Sequence, residues 1–279
     1  MSFTIIGPNA HEVDADKVDL IRPPGNLTIP EFEALSKKML VAILHRPDEG
    51  IHATLSSNTG LWSKMNTPVA HIADQFGGLI EMTRAGVVRT FLSYVNDRPD
   101  VEYIVLIDND ESVPWQAPYM LAQWGQPIVS GVVCGFSVRK GGIFACFTVK
   151  DKYGISRFPS VKNTGHLPSK GLIEVEHAGT GLICIHRDVF RAILQSGDFP
   201  FMIPEAVRRH CAATGTLSLG EDMAFCEQAR RCGFPIHVDL SVRAEHFKTL
   251  SVAWPEERIR ADVDSREWSV SDNDFTAES

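Results

Sequence analysis

Apolar residues along the chain follow two patterns, continuous runs and runs at helical spacing. The continuous runs at residues 39–44, 103–107 and 127–133 predict strands that are buried on both faces, because such strands need no polar alternation. Between the first two of these runs, apolar residues recur every three or four positions over 77–95, which predicts a helix. This alternation predicts an α/β fold with a mixed, mostly parallel central sheet flanked by helices.

The remaining segments complete this pattern. The predicted helix over 77–95 carries Arg84 and Arg89 on faces other than its apolar one. From Gly141 onward, short alternating runs indicate antiparallel strands added to the sheet. Because no linker interrupts the elements, we expect a single domain over residues 38–250. The further predicted strands are 70–74, 143–149, 172–176, 182–185 and 235–239, and the further predicted helices are 114–124, 187–195 and 221–232.

Both ends of the chain differ from this central region. Residues 1–37 are polar and rich in Pro, Gly and Asn, which is typical of an extension lying over a surface. Within it, Thr28 and Glu31 form a capping-box pattern that predicts a short helix. Residues 251–279 form an acidic tail that we expect to be flexible and to act as a lid. From residue 255 onward, eight acidic residues against three arginines account for −5 of the net charge of −8.

Composition narrows the class of protein. With 44% hydrophobic and 22% charged residues, the chain is typical of a globular protein. Its longest nearly apolar stretch covers about ten residues, about half of what a membrane-spanning helix needs, so we expect no stable membrane insertion. None of the six cysteines forms a CxxC pair, so zinc-ribbon and thioredoxin-like proteins are disfavoured. Most of the cysteines have apolar neighbours in the sequence, which favours reduced core thiols and a cytoplasmic location. The acidic balance disfavours a nucleic-acid-binding protein, because such a protein is basic overall or strongly striped.

One candidate site follows the predicted strand 103–107. Asp108, Asn109 and Asp110 leave this buried strand for a loop, and ligands of open α/β sheets gather at the carboxyl ends of strands. Two carboxylates one residue apart can face one hard cation, and oxygen ligands suit Mg²⁺ or Mn²⁺. A solvated acidic turn is the alternative, because Asp and Asn are common turn residues.

Three other features carry candidate chemistry. Glu221 and Asp222 open a predicted helix, where acids are also stabilised by the helix dipole and where Ser218 and Glu221 fit a capping box. His246 follows the last predicted strand as a candidate metal ligand, although such a histidine is more often structural. The glycines in His177-Ala-Gly-Thr-Gly181 permit close approach of a ligand to the backbone, or simply form a tight turn.

Taken together, these segments resemble the nucleotide-diphospho-sugar transferases of the GT-A fold. The nearest group is the family-2-like glycosyltransferases, of the small soluble type found in bacteria and phages. Four motifs match in order: MLVAILHRP, an element that ends at Asp74 before a helix with Arg84, YIVLIDND, and GTGLICIHRDVF with GEDMAFCEQARRCGFPIHVD and a late histidine. The resemblance spans residues 39–247. It implies a Rossmann-like GT-A domain and a transferase that moves a sugar from a nucleotide-diphosphate sugar, with UDP as the expected nucleotide, to an acceptor hydroxyl.

The resemblance also implies roles for single residues on the metal and acceptor sides. Asp108 and Asp110 match the DxD carboxylates, and His246 matches a late histidine that completes the metal site. Mn²⁺ or Mg²⁺ is the implied cofactor. Asp222 matches the catalytic base of inverting members, and Glu221 supports it.

On the donor side, the resemblance assigns the nucleotide and the sugar to several loops. His45 and Arg46 lie in the loop that holds the nucleotide, where relatives commonly carry Pro-x-Tyr-Asn. Asp74 matches an acid that binds the base, and Arg84 matches a basic residue near the nucleotide or diphosphate. The segment beside the donor sugar, together with the first DxD carboxylate, completes the implied donor-binding set: Asp108, Gly179, Thr180 and Gly181.

Other functions remain open at this point. A sugar-nucleotide nucleotidyltransferase shares the fold and needs a metal, but its usual Gly-rich basic signature is missing from the first 60 residues. A metal hydrolase would need more histidines near Asp108. A non-catalytic sugar- or nucleotide-binding module would not need Glu221, Asp222 and His246 together. The acceptor stays open among a glycan, a protein and a modified nucleic-acid base.

Overall fold

Eight strands form one mixed sheet at the centre of the computed structural model. The described residues belong to one compact unit, Met1–Phe247. Arg46, Asp74 and the tail over 251–279 lie outside the described residues, so the predicted roles of these segments stay predictions. The structure describes residues 2–4, 12–14, 20–21, 27–45, 53–73, 80–137, 142–150, 156–159, 170–204, 209, 213 and 220–247.

Strands outnumber helices in the described part of the chain. The strands are β1 (Ser2–Thr4), β2 (Glu12–Asp14), β3 (Leu20–Ile21), β4 (Met39–His45), β5 (Val69–Ala73), β6 (Tyr103–Asp108), β7 (Glu111–Ser112), β8 (Ile128–Val132), β9 (Cys134–Ser137), β10 (Gly142–Ala145), β11 (Val149–Lys150), β12 (Ser156–Arg157), β13 (Leu172–Val175), β14 (Leu182–His186), β15 (Ile236–Arg243) and β16 (Glu245–His246). The helices are α1 (Ile29–Ser36), α2 (Ala53–Lys64), α3 (Ile80–Asp97), α4 (Ala117–Ala122), α5 (Arg187–Gln195) and α6 (Glu221–Arg231).

The order of strands in the central sheet is β3-β13-β15-β8-β14-β6-β4-β5. Strands β4, β5 and β6 are parallel neighbours, and β8 and β15 form a second parallel pair. Strands β13 and β14 run against the other six. The predicted fold class, a mixed and mostly parallel sheet with flanking helices, is confirmed.

Both faces of the sheet are covered by helices, which explains the continuous apolar runs. In β4, Leu40 and Leu44 pack into one core with α3, α5 and α6, whereas Met39 and Ile43 pack into a second core with α2 and α4. Successive side chains of a strand point to opposite faces, so a strand between two cores is apolar throughout. Because β4 and β6 are held between two cores, their carboxyl ends and the residues that follow β6 have fixed positions.

Several sequence predictions differ from the structure in extent or in place. The predicted helix over 114–124 is shorter, because α4 covers only Ala117–Ala122. The alternating run at 143–149 does not extend the central sheet, since β10 pairs only with β9 there. Within the predicted N-terminal extension, β3 joins the edge of the central sheet by pairing with β13. Pairing between distant segments decides these outcomes, and periodicity does not encode it.

The predicted capping box at the start of α1 is confirmed. The carboxylate of Glu31 accepts hydrogen bonds from the backbone N–H of Thr28 at 2.7 Å and from its hydroxyl at 2.8 Å. The helix that follows packs Phe32 against Trp115 and Tyr119, with an edge-on contact at 5.0 Å to Tyr119. Residues 27–36 are therefore tied to the domain.

Within the described residues, no helix has both the length and the apolar character to cross a membrane. The five cysteines that lie there form no disulfide with one another. Burial raises the pKa of Cys226 to about 12 and also raises the pKa of Cys184. These thiols are protonated at neutral pH, as expected for core residues without a nucleophilic role.

Candidate active site at the carboxyl edge of the sheet

The candidate site lies where β4, β5 and β6 end and β14 begins. Asp108 closes β6, and its backbone N–H donates to the carbonyl oxygen of Gly181 at 2.9 Å. The next amide, of Asn109, donates to the carbonyl oxygen of Leu44 at 2.9 Å. Because β14 is antiparallel to β6, the glycine segment before β14 lies beside the acidic residues after β6. His45 ends the neighbouring strand β4 at the same edge.

A short pair of strands brings His246 to this edge. In the antiparallel pair of β7 and β16, His246 is opposite Glu111 and Glu245 is opposite Ser112. The backbone N–H of Phe247 donates to the carbonyl oxygen of Asp110 at 2.8 Å, which extends the pairing by one residue. The segment after β15 therefore folds back against the loop after β6.

Asp110, Glu111 and His246 form a cluster of candidate metal ligands. One ligand atom from each of the three lies within 4.8 Å of the other two. The Nε2 atom of His246 is 3.1 Å from Asp110 Oδ2 and 3.7 Å from Glu111 Oε1, and its Nδ1 atom is 2.7 Å from the carbonyl oxygen of Cys134. That carbonyl orients the imidazole so that Nε2 faces the carboxylates.

The charges around His246 favour its protonated form in the absence of a cation. Its hydrogen bond with Asp110 raises the pKa of His246, burial opposes that effect, and the Cys134 carbonyl and the Glu111 charge add to the increase. A cation bound by the same carboxylates would instead favour the neutral form of His246, because metal ligation requires a neutral imidazole.

The donor set fits a divalent cation. Ligand atoms around one such ion lie roughly 3 to 4 Å apart, so the three side chains need only small rotations to bind a single ion. Two carboxylates match the oxygen preference of Mg²⁺ and Mn²⁺, and a histidine nitrogen is a further metal ligand. Glu111 is 1% exposed, so this cluster extends below the surface of the site.

A buried arginine forms a second polar cluster beside the first. Arg84, on α3, donates from its NH2 group to both carboxylate oxygens of Asp108, at 3.0 and 2.9 Å. Its NH1 group donates to Glu221 Oε1 at 2.6 Å and to the hydroxyl of Thr180. The prediction that Arg84 lies on an outer face of its helix is wrong, because the side chain points inward and Arg84 is only 3% exposed.

Opposite charges make the burial of Arg84 tolerable. Burial alone would lower the pKa of Arg84, but the charges of Asp108 and Glu221 outweigh it and raise the pKa above its ordinary value. Burial also raises the pKa of Glu221, against the lowering effect of Arg84. Removal of one partner of such a buried ion pair destabilises the folded protein, because it leaves an uncompensated buried charge.

The two clusters meet at Gly181. A Cβ atom at this position would lie 3.0 Å from Glu111 Oε1 and 3.4 Å from Asp108 Oδ2. The absence of a side chain at Gly181 thus lets two carboxylates from different clusters approach the same backbone. Gly179 is equally enclosed, since its Cβ would lie 2.8 Å from the Cβ of Cys146.

The carboxylate pair predicted at the start of a helix lies at the first turn of α6. Both carboxylates are partly exposed: Glu221 is bound to Arg84, and Asp222 accepts a hydrogen bond from the Met223 amide at 2.7 Å. The N-cap is Gly220, and Ser218, the other member of the predicted capping box, lies outside the described residues. A Cβ on Gly220 would lie 2.7 Å from Asp222 Oδ1, so a side chain at this position would displace the Asp222 carboxylate.

The structure brings together most of the predicted site and leaves one predicted ligand apart. Asp110 and His246 share a cluster, and Gly181 lies beside it. Thr180 accepts a hydrogen bond from Arg84. Asp108, predicted as a metal ligand, is outside the three-residue cluster and binds Arg84.

Sequence reasoning missed Glu111. Its signal was its position directly after Asp110, but only the pairing of β7 with β16 shows that its side chain reaches His246.

No protein-family model matches the sequence, and no curated protein matches it. Solved structures that resemble the fold include A197 from STIV, with 16% identity, a TM-score of 0.45, and coverage of 76% of this chain and 86% of that chain. GalNAc-T7 with UDP, GalNAc and Mn²⁺ has 12% identity and a TM-score of 0.45, over 77% of this chain and 44% of that chain. A nucleoside-diphosphate-sugar pyrophosphorylase from Vibrio cholerae RC9 has 11% identity and a TM-score of 0.35, over 78% and 81%. The present chain thus spans less than half of the GalNAc-T7 chain.

Proposed function

We propose that the protein is a metal-dependent glycosyltransferase. It moves a sugar from a nucleoside-diphosphate sugar, with UDP as the proposed nucleotide, to an acceptor hydroxyl. The observation that carries the proposal is the meeting of two clusters at Gly181. One of them, Asp110 with Glu111 and His246, suits a divalent cation. The other, around Arg84, includes Glu221, and the next residue in the chain is the partly exposed Asp222. Cleavage of a sugar–diphosphate bond needs both a cation for the leaving group and a base for the acceptor.

Asp110, Glu111 and His246 would hold Mn²⁺ or Mg²⁺ at the loop after β6. When bound, the cation neutralises the diphosphate that leaves as the sugar is transferred. Asp108, the other predicted ligand, would face the donor ribose or the cation from the Arg84 side.

The donor would lie across the carboxyl ends of β4, β5 and β6. The Gly179-Thr180-Gly181 segment would lie beside the sugar, and Gly181, which carries no side chain, lets the carboxylates of Glu111 and Asp108 approach its backbone. The nucleotide would be held by residues at or directly after the ends of the first two of these strands: His45, Arg46 and Asp74. Binding in the crevice at the carboxyl ends of strands is the general arrangement in open α/β sheets.

Asp222 would act as the general base that takes the proton from the acceptor hydroxyl. Both carboxylates are partly exposed, but Glu221 is already held by Arg84 at 2.6 Å, which leaves Asp222 as the candidate base. Attack by the deprotonated oxygen on the anomeric carbon forms the new glycosidic bond as the bond to the diphosphate breaks. A single displacement of this kind inverts the anomeric configuration.

A panel of sugar nucleotides tests the proposal. Purified protein is incubated with each donor and Mn²⁺, and the products are separated by ion-exchange chromatography. Release of the nucleoside diphosphate from at least one donor is expected. Formation of a sugar phosphate, on addition of pyrophosphate, would instead establish a nucleotidyltransferase. A thermal shift by a donor without turnover, across a panel of glycan, protein and nucleic-acid acceptors, would establish a binding module.

A further inference from the structure

Arg84 joins three parts of the chain that carry the proposed chemistry. Its guanidinium group donates to Asp108 after β6, to Thr180 before β14 and to Glu221 at the start of α6. These partners lie 24, 96 and 137 positions away along the sequence. With Arg84 only 3% exposed, little of the guanidinium surface is left for a ligand.

The face of Arg84 is also supported by an aromatic residue in an unusual conformation. Phe201 is fully buried and has a φ of 68°, in the left-handed region that disfavours residues with bulky side chains. Its ring stacks on Phe225 at 4.4 Å between centroids, and the Cζ atom of Arg84 lies 6.0 Å from the ring of Phe201. This fully buried ring therefore presents its face to Arg84.

Gln228 stabilises the strained segment. Its side-chain oxygen accepts from the Phe201 amide at 3.2 Å, and its NH₂ group donates to the carbonyl oxygens of Phe199 at 3.0 Å and Met202 at 3.1 Å. A buried glutamine that makes three backbone hydrogen bonds determines the path of this segment. Strain of this kind persists only where the surroundings over-determine it, and it occurs most often at functional sites.

We propose that Arg84 is a positioning residue that sets the first turn of α6, and with it Asp222, relative to Asp108 and the glycine segment. This inference rests on the proposed function, and it differs from the donor-contacting role that the sequence resemblance implies for Arg84. The residue acts through Glu221, because Glu221 and Asp222 are consecutive residues of the same helical turn. The donor would then meet Asp108, whose side chain is 26% exposed, and Arg84 would lie behind it.

The guanidinium group is suited to this task in a way that an ammonium group is not. Its planar fork presents donors in fixed directions, so it can bind Asp108, Glu221 and Thr180 together. A lysine at the same position keeps the positive charge as a single point on a flexible stem. Replacement of Arg84 by lysine therefore separates the loss of geometry from the loss of charge.

Donor hydrolysis or transfer by R84K, compared with wild type, tests the inference. We expect kcat to fall by about 10- to 100-fold, because small misplacement of a reacting group has effects of this size. KM for the donor should change by less than about threefold. R89K is the matched control, since Arg89 is exposed on the same helix and should retain wild-type constants. An increase in donor KM of about tenfold with unchanged kcat would overturn the inference, because it would show that Arg84 binds the donor.

The variant E221Q covers the case in which R84K does not fold. It keeps the shape of Glu221 but removes the charge that binds Arg84, and the same fall in kcat at unchanged KM is expected. E102Q, which alters a carboxylate that directly precedes β6 and pairs with Lys38, is its control. Wild-type kcat in E221Q would contradict the link through Glu221.

Hydrogen exchange gives a readout that needs no donor. The amide of Ala224 donates to the Gly220 carbonyl at 2.9 Å in the first turn of α6. In E221Q we expect it to exchange about tenfold faster, while amides within β4 exchange at the wild-type rate. Unchanged exchange at Ala224 would overturn the positioning role. Faster exchange in E221Q together with a wild-type protein that cleaves no donor would refute the proposed function and leave the positioning role supported.

Discussion

The Nε2 atom of His246 lies 3.1 Å from Oδ2 of Asp110, although 136 positions separate the two residues in the sequence. The pairing of β7 with β16 creates this proximity by placing His246 opposite Glu111. Two carboxylates and one imidazole thereby come together at the carboxyl edge of the sheet. A cation held there would face the loops in which the proposed donor binds.

Replacement of His246 by alanine should weaken Mn²⁺ binding by at least about tenfold, because the cluster loses its one nitrogen ligand. The apo protein should lose only about 1 to 3 kcal/mol of unfolding free energy, the net value of two hydrogen bonds. Electron paramagnetic resonance titration gives the affinity, and urea denaturation gives the stability. H186A is the control, because His186 caps α5 and lies outside the site. A large loss of stability at unchanged Mn²⁺ affinity would assign a purely structural role to His246.

Replacement of Gly181 by alanine tests the convergence of the two clusters. The new methyl group would crowd Glu111 at 3.0 Å and Asp108 at 3.4 Å, so we expect at least about tenfold weaker Mn²⁺ binding in a folded protein. The control is G60A in α2, where a Cβ meets nothing within 4 Å and should stabilise by about 0.5 to 1 kcal/mol. If G181A binds Mn²⁺ as tightly as wild type, the open space at Gly181 is not required for Glu111 to serve the cation site.

Replacement of Asp222 by asparagine should lower kcat by about 10² to 10⁴-fold, the usual contribution of a general base. Donor affinity should change little, because Asp222 is assigned to the acceptor side. D188N is the matched control, since Asp188 also lies in the first turn of a helix but at α5. Steady-state kinetics and NMR of the product anomer provide the measurements. Near-normal kcat, or retention of the donor's anomeric configuration, would remove Asp222 as the base.

His237 makes the stability of the fold dependent on pH. It is buried in β15, and this burial lowers its pKa from the ordinary value of 6.5. Below pH 6.5 the unfolded chain therefore binds a proton at His237 more readily than the folded state, so stability falls as pH falls towards the lowered folded pKa. The variant H237Q should lose less unfolding free energy than wild type between pH 7.5 and 5.5.

Urea denaturation at the two pH values measures this difference. His71 and His186, whose pKa values burial also lowers, are present in both proteins and cancel in the comparison. An equal loss of stability in H237Q and wild type would show that His237 does not carry this pH dependence.

The strands that lead to the site could be predicted from sequence because the sheet is covered on both faces. Residues of β4 and β6 are apolar without interruption, and the acidic residues that follow β6 mark its end. The insertion of the antiparallel strand β14 between β6 and β8 could not be predicted, since strand order depends on contacts between distant segments. That insertion brings Gly181 beside Asp108.

The position of Arg84 could not be inferred from helical periodicity. A pattern of apolar spacing places charged residues outward, because an isolated buried charge is costly. Here Asp108 and Glu221 come from other elements and offset that cost, so the charge lies inside. Residues whose burial depends on distant partners are the ones for which sequence reasoning fails.

Release of nucleoside diphosphate from a UDP-sugar donor by metal-stripped protein, with and without added Mn²⁺, tests the central claim most directly. We predict no release in excess EDTA and recovery of release when Mn²⁺ is restored, in wild type but not in a variant with both D110N and H246A. E102Q, which alters a carboxylate that pairs with Lys38 before the amino end of β6, should recover like wild type. Full turnover in excess EDTA, or equal turnover by the D110N/H246A variant, would contradict the assignment of this cluster to a catalytic cation.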